Sequence, residues 1–125
     1  NDFNVISRLG MLQAKLGELE SAMNNLRLAE DLYDVNVKYN GFLKYYGLCY
    51  CIKGEFEKGR LEMVKHHSKS TEKNNNLILA TICHKLGKNK ECENYLNIEK
   101  KLFSNNNNIE LSDLEKIDFK DFLNK

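Results

Sequence analysis

The chain has 125 residues, with 19 lysine and arginine residues against 18 aspartate and glutamate residues. This near-balance gives no reason to expect a polyanionic partner, and the sequence lacks the run of about 18 apolar residues that a membrane-spanning helix needs. Because the first residue is Asn1 and not methionine, we expect the chain to be a fragment of a longer protein, which leaves open an upstream targeting signal.

The sequence pattern favours helices throughout. Proline is absent, and apolar residues recur every three or four positions, as at Leu19, Ala22, Leu26 and Ala29, whereas no stretch alternates convincingly with period two. The length suits one domain that buries a core. We therefore predict an all-α fold in a single domain, residues 1–125.

Three segments of the chain align with one another. They are SRLGMLQAKLGELESAMNNLRLAE from Ser7, KYYGLCYCIKGEFEKGRLEMVKHH from Lys44 and LILATICHKLGKNKECENYLNIEK from Leu77. A glycine between two helical runs recurs as Gly17, Gly54 and Gly87, at spacings of 37 and 33 residues. Each unit is predicted to be two helices joined by a tight turn, with the glycine in the left-handed conformation that ends the first helix.

Small residues also recur within the predicted helices. A small side chain lets two helices approach closely, so these positions are predicted to lie where the helices of one unit touch. On the first helix of each unit they are Gly10, Gly47 and Ala80, and on the second helix they are Ala22, Gly59 and Cys92.

These repeated positions resemble the tetratricopeptide repeat (TPR) family. The resemblance implies an antiparallel helix-pair solenoid with three repeats at about 3–36, 40–73 and 73–106, although the usual proline after the second helix is missing. The segments RLGMLQAKLGELESA, YYGLCYCIKGEFEKG and NNNLILATICHKLGKNKEC also resemble the C-terminal TPR region of a TRAPP vesicle-tethering subunit. That narrower resemblance implies a subunit of a vesicle-tethering complex.

The stretch after Asn108 carries its own helix signal. Ser112 and Glu115 fit a capping box, and the apolar stripe of this stretch consists of Leu111, Leu114, Ile117 and Phe122. We predict a capping helix at about 112–124 over the exposed side of the last repeat. A short docking motif for another subunit is the alternative.

The residue types needed for catalysis are not arranged for it. A phosphate loop needs Lys-Ser or Lys-Thr after its last glycine, but Lys15 precedes Gly17 and Glu18 follows it. No serine stands in a nucleophile elbow. His66 and His67 fall at an expected helix end, where a partly positive imidazole is favoured. We therefore predict no enzymatic activity.

A metal site is also not predicted. Structural zinc sites combine two closely spaced ligand pairs, whereas Cys49-x-Cys51 stands alone. Cys83 and Cys92 fall on repeat positions that normally hold packing residues, so core or near-core cysteines are expected. We predict no cofactor, and reduced cysteines in a cytoplasmic protein.

The TPR resemblance implies a binding surface. In that family the concave surface is lined mainly by the first helix of each pair. Here each unit would contribute one lysine, Lys15, Lys44 or Lys85, beside small or apolar residues, and such a surface suits an extended or helical peptide with an apolar anchor and an acidic group. Capture of a heat-shock C-terminal tail by a carboxylate clamp is not expected, because Ser7, Met11, Tyr45, Asn74 and Ile78 stand at the clamp positions. The implied groove residues are Met11, Lys15, Lys44, Leu48, Ile52, Leu77, Thr81, His84 and Lys85.

The function predicted from the sequence is a non-catalytic protein–protein interaction or scaffold module that binds a partner peptide or subunit. An RNA-processing or metal-binding helical domain is the alternative. Nucleic-acid binding is disfavoured because only the middle of the chain is mildly basic and both ends are acidic.

Overall fold

The computed structural model describes residues 2–34, 40–67, 72–103 and 108–124. In these ranges the α-helices are α1 (Asp2–Lys15), α2 (Leu19–Leu32), α3 (Phe42–Ile52), α4 (Phe56–His67), α5 (Asn75–Lys85) and α6 (Asn89–Leu102). Two 3₁₀ helices follow, η1 (Leu111–Lys116) and η2 (Phe119–Asn124). No strand occurs in the described ranges, so the all-α prediction is confirmed. The predicted repeat boundaries at residues 36 and 106 lie outside the described residues.

The three turn glycines end α1, α3 and α5 in the same way. Gly17, Gly54 and Gly87 have φ values of +83°, +85° and +74°, which a side chain would disfavour. At the first turn, the Gly17 N–H donates to the Ala14 carbonyl at 3.1 Å and the Glu18 N–H to the Gln13 carbonyl at 2.9 Å. This pair of bonds is a Schellman motif. The predicted turn role of the three glycines is confirmed.

The helices of a pair run antiparallel. In the first pair, Asn25 donates to Gln13 at 2.7 Å, while Leu26 faces the earlier residue Gly10. In the second pair, α3 and α4 approach so closely that a Cβ placed on Gly47 would lie 3.0 Å from the Gly59 carbonyl oxygen. The predicted role of small residues at the helix contacts is confirmed at these glycines.

Successive pairs pack on one another, since α3 contacts both α1 and α2, and α5 contacts α4. Phe42 at the start of α3 joins the first two pairs. Its ring centroid lies 5.2 Å from that of Phe3 and 5.4 Å from that of Tyr33. The core continues through fully buried Leu26, Leu48, Met63, Ile78 and Ile82.

A polar layer is buried between α4 and α5. His66 is 1% exposed, its Nδ1 lies 3.3 Å from Asn40 Oδ1, and Asn75 Nδ2 lies 3.2 Å from its Nε2. An amide nitrogen can only donate, so Nε2 accepts and the ring is neutral with its proton on Nδ1. Burial, the largest cause, lowers the pKa of His66. The interpretation of His66 as a partly positive helix-end residue is wrong, because the packing of α5 removes it from water.

The C-terminal stretch differs from the prediction. The single helix expected at 112–124 is replaced by η1 and η2, with Ile117 in an extended conformation between them. Asp118 accepts from the Lys120 N–H at 3.0 Å through Oδ1, a local bond that starts a new turn. The cap of η1 also lies earlier than Ser112, since the Glu110 N–H donates to Asp113 Oδ2 at 2.8 Å.

Candidate functional site

The chain covers one side of its own helix pairs with residues 109–124, here called the C-terminal segment. Its η1 contacts α5, whereas η2 contacts α3 and α1. We call the surface formed by α1, α3 and α5 under this segment the first-helix face. The predicted cap over the last repeat therefore has a wider reach, because it crosses from the third pair to the first. Its buried apolar side chains are Leu114, Phe119, Phe122 and Leu123.

One acidic side chain of the segment pairs with the end of α5. Glu115 Oε1 lies 2.7 Å from His84 Nε2, and Glu115 Oε2 lies 3.7 Å from Lys85 Nζ. The hydrogen bond from His84 is the largest cause that lowers the pKa of Glu115, followed by the charges of His84 and Lys85. The carboxylate is thus held in its charged form between the two residues. His84, one of the implied groove residues, is therefore paired with the chain's own C-terminal segment in this structure.

The aromatic side chains of the segment meet the helices in two places. The ring of Phe119 lies 6.0 Å from that of Phe56, centroid to centroid. Phe122 lines a cavity of about 490 Å³ together with Leu77. A second cavity of about 330 Å³ is lined by residues of α1, α3 and η2, among them Lys15, Ile52 and Leu123. The segment is therefore anchored at its few buried apolar residues, Leu114, Phe119, Phe122 and Leu123, while most of its other residues are exposed.

Several predicted groove residues lie in the core. Leu48 and Thr81 are fully buried and Leu77 is 5% exposed. The hydroxyl of Thr81 donates to the Leu77 carbonyl at 2.8 Å, within its own helix. Leu48 and Thr81 are therefore not accessible to a ligand in this structure.

The three predicted groove lysines have different environments. Lys44 is only 7% exposed, and its Nζ lies 3.9 Å from Glu72 Oε2. Burial, the largest cause, lowers its pKa, while the charge of Glu72 opposes this shift. Lys15 is exposed with its Nζ 5.5 Å from the Tyr45 ring centroid, a cation–π distance. Lys44 is therefore a buried charge, and Lys15 and Lys85 are the lysines that a ligand could reach.

The remaining predicted residues, Met11 and Ile52, are half-buried. Met11 packs against the hydrophobic core, whereas Ile52 lines the cavity that it shares with Lys15. The structure thus brings Lys15 and Ile52 to one end of the segment and His84 and Lys85 to Glu115.

The described residues offer little for other chemistry. Nowhere among them do three His, Cys, Asp or Glu side chains converge as metal ligands would. The helices found there are all too short or too polar to cross a membrane. All four cysteines are buried, as predicted, and burial raises the pKa of Cys49 to about 11 and that of Cys51 to about 12. These thiols are neutral packing groups.

Comparison with known proteins adds no further constraint. No family model, curated protein or solved structure matches this chain.

The sequence reasoning missed the occupant of the first-helix face, although a signal for it was present. The groove was predicted to suit a peptide with an apolar anchor and an acidic group. The chain's own last residues fit that description, because Glu115 follows Leu114 directly and precedes Phe119 by four residues.

Proposed function

We propose that this chain is a non-catalytic protein–protein interaction module, built as a TPR-like solenoid of three helix pairs, and that its first-helix face binds a peptide segment of a partner. The observation that carries the proposal is the C-terminal segment seated on this face. It combines buried apolar anchors with a carboxylate held by His84 and Lys85. The partner segment is expected to combine an acidic residue with aromatic and aliphatic anchors in the same way.

The energetics allow a partner to displace this segment if its contacts are better than those of the segment. Each fully buried apolar side chain contributes about 1.5–3 kcal/mol. Fixing the backbone costs about 1–2 kcal/mol per residue, which offsets much of that gain. The segment is also tethered, which gives it an effective concentration of the order of millimolar without any additional contact. A partner with better contacts can therefore displace it.

The test uses the 125-residue chain with a protease site inserted between residues 105 and 106. After folding and cleavage, a fluorescent peptide of residues 109–124 is added and its anisotropy is followed. We expect the labelled peptide to replace the cleaved segment, and we expect little binding to uncleaved protein, in which the tethered segment competes.

Two charge reversals complete the experiment. Lys85→Glu places a carboxylate next to Glu115 and should weaken peptide binding, whereas Arg27→Glu on α2, outside the face, should leave it unchanged. Lys44→Glu is not a suitable probe, because a buried carboxylate beside Glu72 would destabilise the fold. Failure of the peptide to bind after cleavage, with the helical spectrum unchanged, would contradict the proposal.

A further inference from the structure

A stripe of exposed apolar side chains runs along α1. Val5, Leu9, Leu12 and Leu16 are 66%, 43%, 54% and 66% exposed. Their spacings of four, three and four residues place them on one side of the helix. Single exposed apolar residues are ordinary, but a continuous stripe of large ones points to an interaction surface.

The turn glycines define which positions of α3 and α5 correspond to this stripe, since Gly17, Gly54 and Gly87 end the three helices identically. All six residues at the positions of Val5, Leu9 and Leu12 are at most 4% exposed. They are Phe42, Tyr46 and Cys49 on α3, and Asn75, Leu79 and Ile82 on α5. These positions are buried in the two helices that have a preceding pair packed on them, and exposed in α1.

Other exposed apolar positions do not show this contrast. Leu28 and Leu32 on α2 are 47% and 50% exposed, and their counterparts Ile98 and Leu102 on α6 are 42% and 52% exposed. Their exposure is the same although α2 contacts α3 and a following pair, whereas α6 belongs to the last pair. These four residues belong to the outer surface of the helix pairs. The α1 stripe differs from them because its counterparts in α3 and α5 are buried.

We propose that the α1 stripe binds an antiparallel helix pair of the same kind, presented to α1 as the first pair is presented to α3. Phe42 is the counterpart of Val5 and is flanked by Phe3 from the start of one helix and Tyr33 from the end of the next. The occupant is therefore expected to place an aromatic residue at each of these two places, beside Val5.

A second copy of the chain fits this role poorly. Its last pair would have to pack on α1, but the C-terminal segment already lies against that pair, where it contacts α5 and buries Leu114 completely. The occupant is for this reason a separate helix pair with an uncovered second helix.

The test supplies such a pair. Residues 2–41, which contain the first pair and its natural connection to α3, are duplicated ahead of residue 2 of the full chain. Leu12→Glu is then introduced either in the inner or in the leading copy of α1. We expect the inner substitution to lower Tm by roughly 5–10 °C and the leading one by less than about 2 °C, since only the inner position becomes buried. Leu28→Glu in either copy is the matched control and should have little effect.

Equal effects of Leu12→Glu in the two copies would overturn the proposal, because the duplicated pair would then not cover the stripe. Analytical ultracentrifugation of the 125-residue chain gives a second check, with a monomer as the expected result. A dimer that Leu12→Glu abolishes and Leu28→Glu preserves would identify a second copy as the occupant and would also overturn the proposal.

Discussion

Replacement of Gly59 by alanine tests how closely α3 and α4 must approach. A Cβ on Gly59 would lie 2.8 Å from the Gly47 carbonyl oxygen and would also collide with Cys51 Sγ. The carbonyl belongs to a helical backbone and cannot rotate away. The two helices must therefore separate, and the contacts along the second pair must loosen.

The magnitude follows from two opposing terms. Overpacking costs about 1–3 kcal/mol, and the obstacle here is a backbone carbonyl oxygen only 2.8 Å away, so we expect the upper half of that range, about 2–3 kcal/mol. Alanine is intrinsically better than glycine inside a helix by about 1 kcal/mol, which offsets part of the cost. We expect a net loss of about 1–2 kcal/mol in the free energy of unfolding, or a Tm lower by roughly 3–8 °C for a chain of this length.

Urea denaturation followed by circular dichroism measures this loss, and a double-mutant cycle with Cys51→Ala locates its origin. Cys51→Ala removes the sulfur contact and leaves the carbonyl contact, so it should recover only part of the effect. Asn24→Ala, at an exposed position of α2, measures the gain in helix propensity alone. A Gly59→Ala protein as stable as the wild type would refute the reasoning that close backbone approach requires glycine here.

Three further predictions concern the polar groups. The pKa of His66 is lowered in the fold, so the unfolded chain takes up a proton first as the pH falls below about 6.5. The contribution of His66 to stability is therefore lost on acidification. The difference in unfolding free energy between wild type and His66→Gln should shrink from pH 7 to pH 5. Burial, the largest cause, and the neighbouring Glu30 raise the pKa of Glu62 to about 8. Between about pH 4.5 and pH 8 the folded chain holds a proton that the unfolded chain has released, so stability falls as the pH rises through this window. Glu62→Gln has no such proton, and its stability relative to wild type should rise by up to about 4 kcal/mol from pH 4.5 to pH 8. Lys85→Glu should speed amide hydrogen exchange in η1 by about two- to fivefold through repulsion of Glu115, and an unchanged rate would show that the ion pair does not hold the segment.

The sequence predicted well those residues whose conformation is set by their near neighbours in the chain. At Gly17, Gly54 and Gly87 the helix ends through two bonds: the glycine N–H donates to the carbonyl three positions earlier, and the N–H of the next residue donates to the carbonyl five positions before itself. Such short-range geometry can be predicted from the sequence. The small residues Gly10 and Gly59 were also recognisable, because their spacing recurs from pair to pair. Helix type, helix pairing and the core position of the cysteines follow from the same periodicity.

The errors concern residues whose environment depends on distant parts of the chain. His66 was placed correctly at a helix end, but its charge state depends on Asn40 and Asn75, which lie 26 residues before and nine residues after it. From the sequence, Lys44 is predicted to be a surface lysine. It becomes buried once the helix pairs pack together.

The sequence by itself determined an all-helical chain, three equivalent helix pairs and an apolar, acidic C-terminal stretch, because helical periodicity and turn glycines act over a few residues. Only the tertiary structure decided that this stretch breaks into two 3₁₀ helices and lies across α5, α3 and α1. That outcome depends on the packing of Leu114, Phe119, Phe122 and Leu123 against helices far away in the chain, and periodicity carries no information about such contacts. The same packing left the α1 stripe uncovered, although its residues follow the pattern that is buried in α3 and α5.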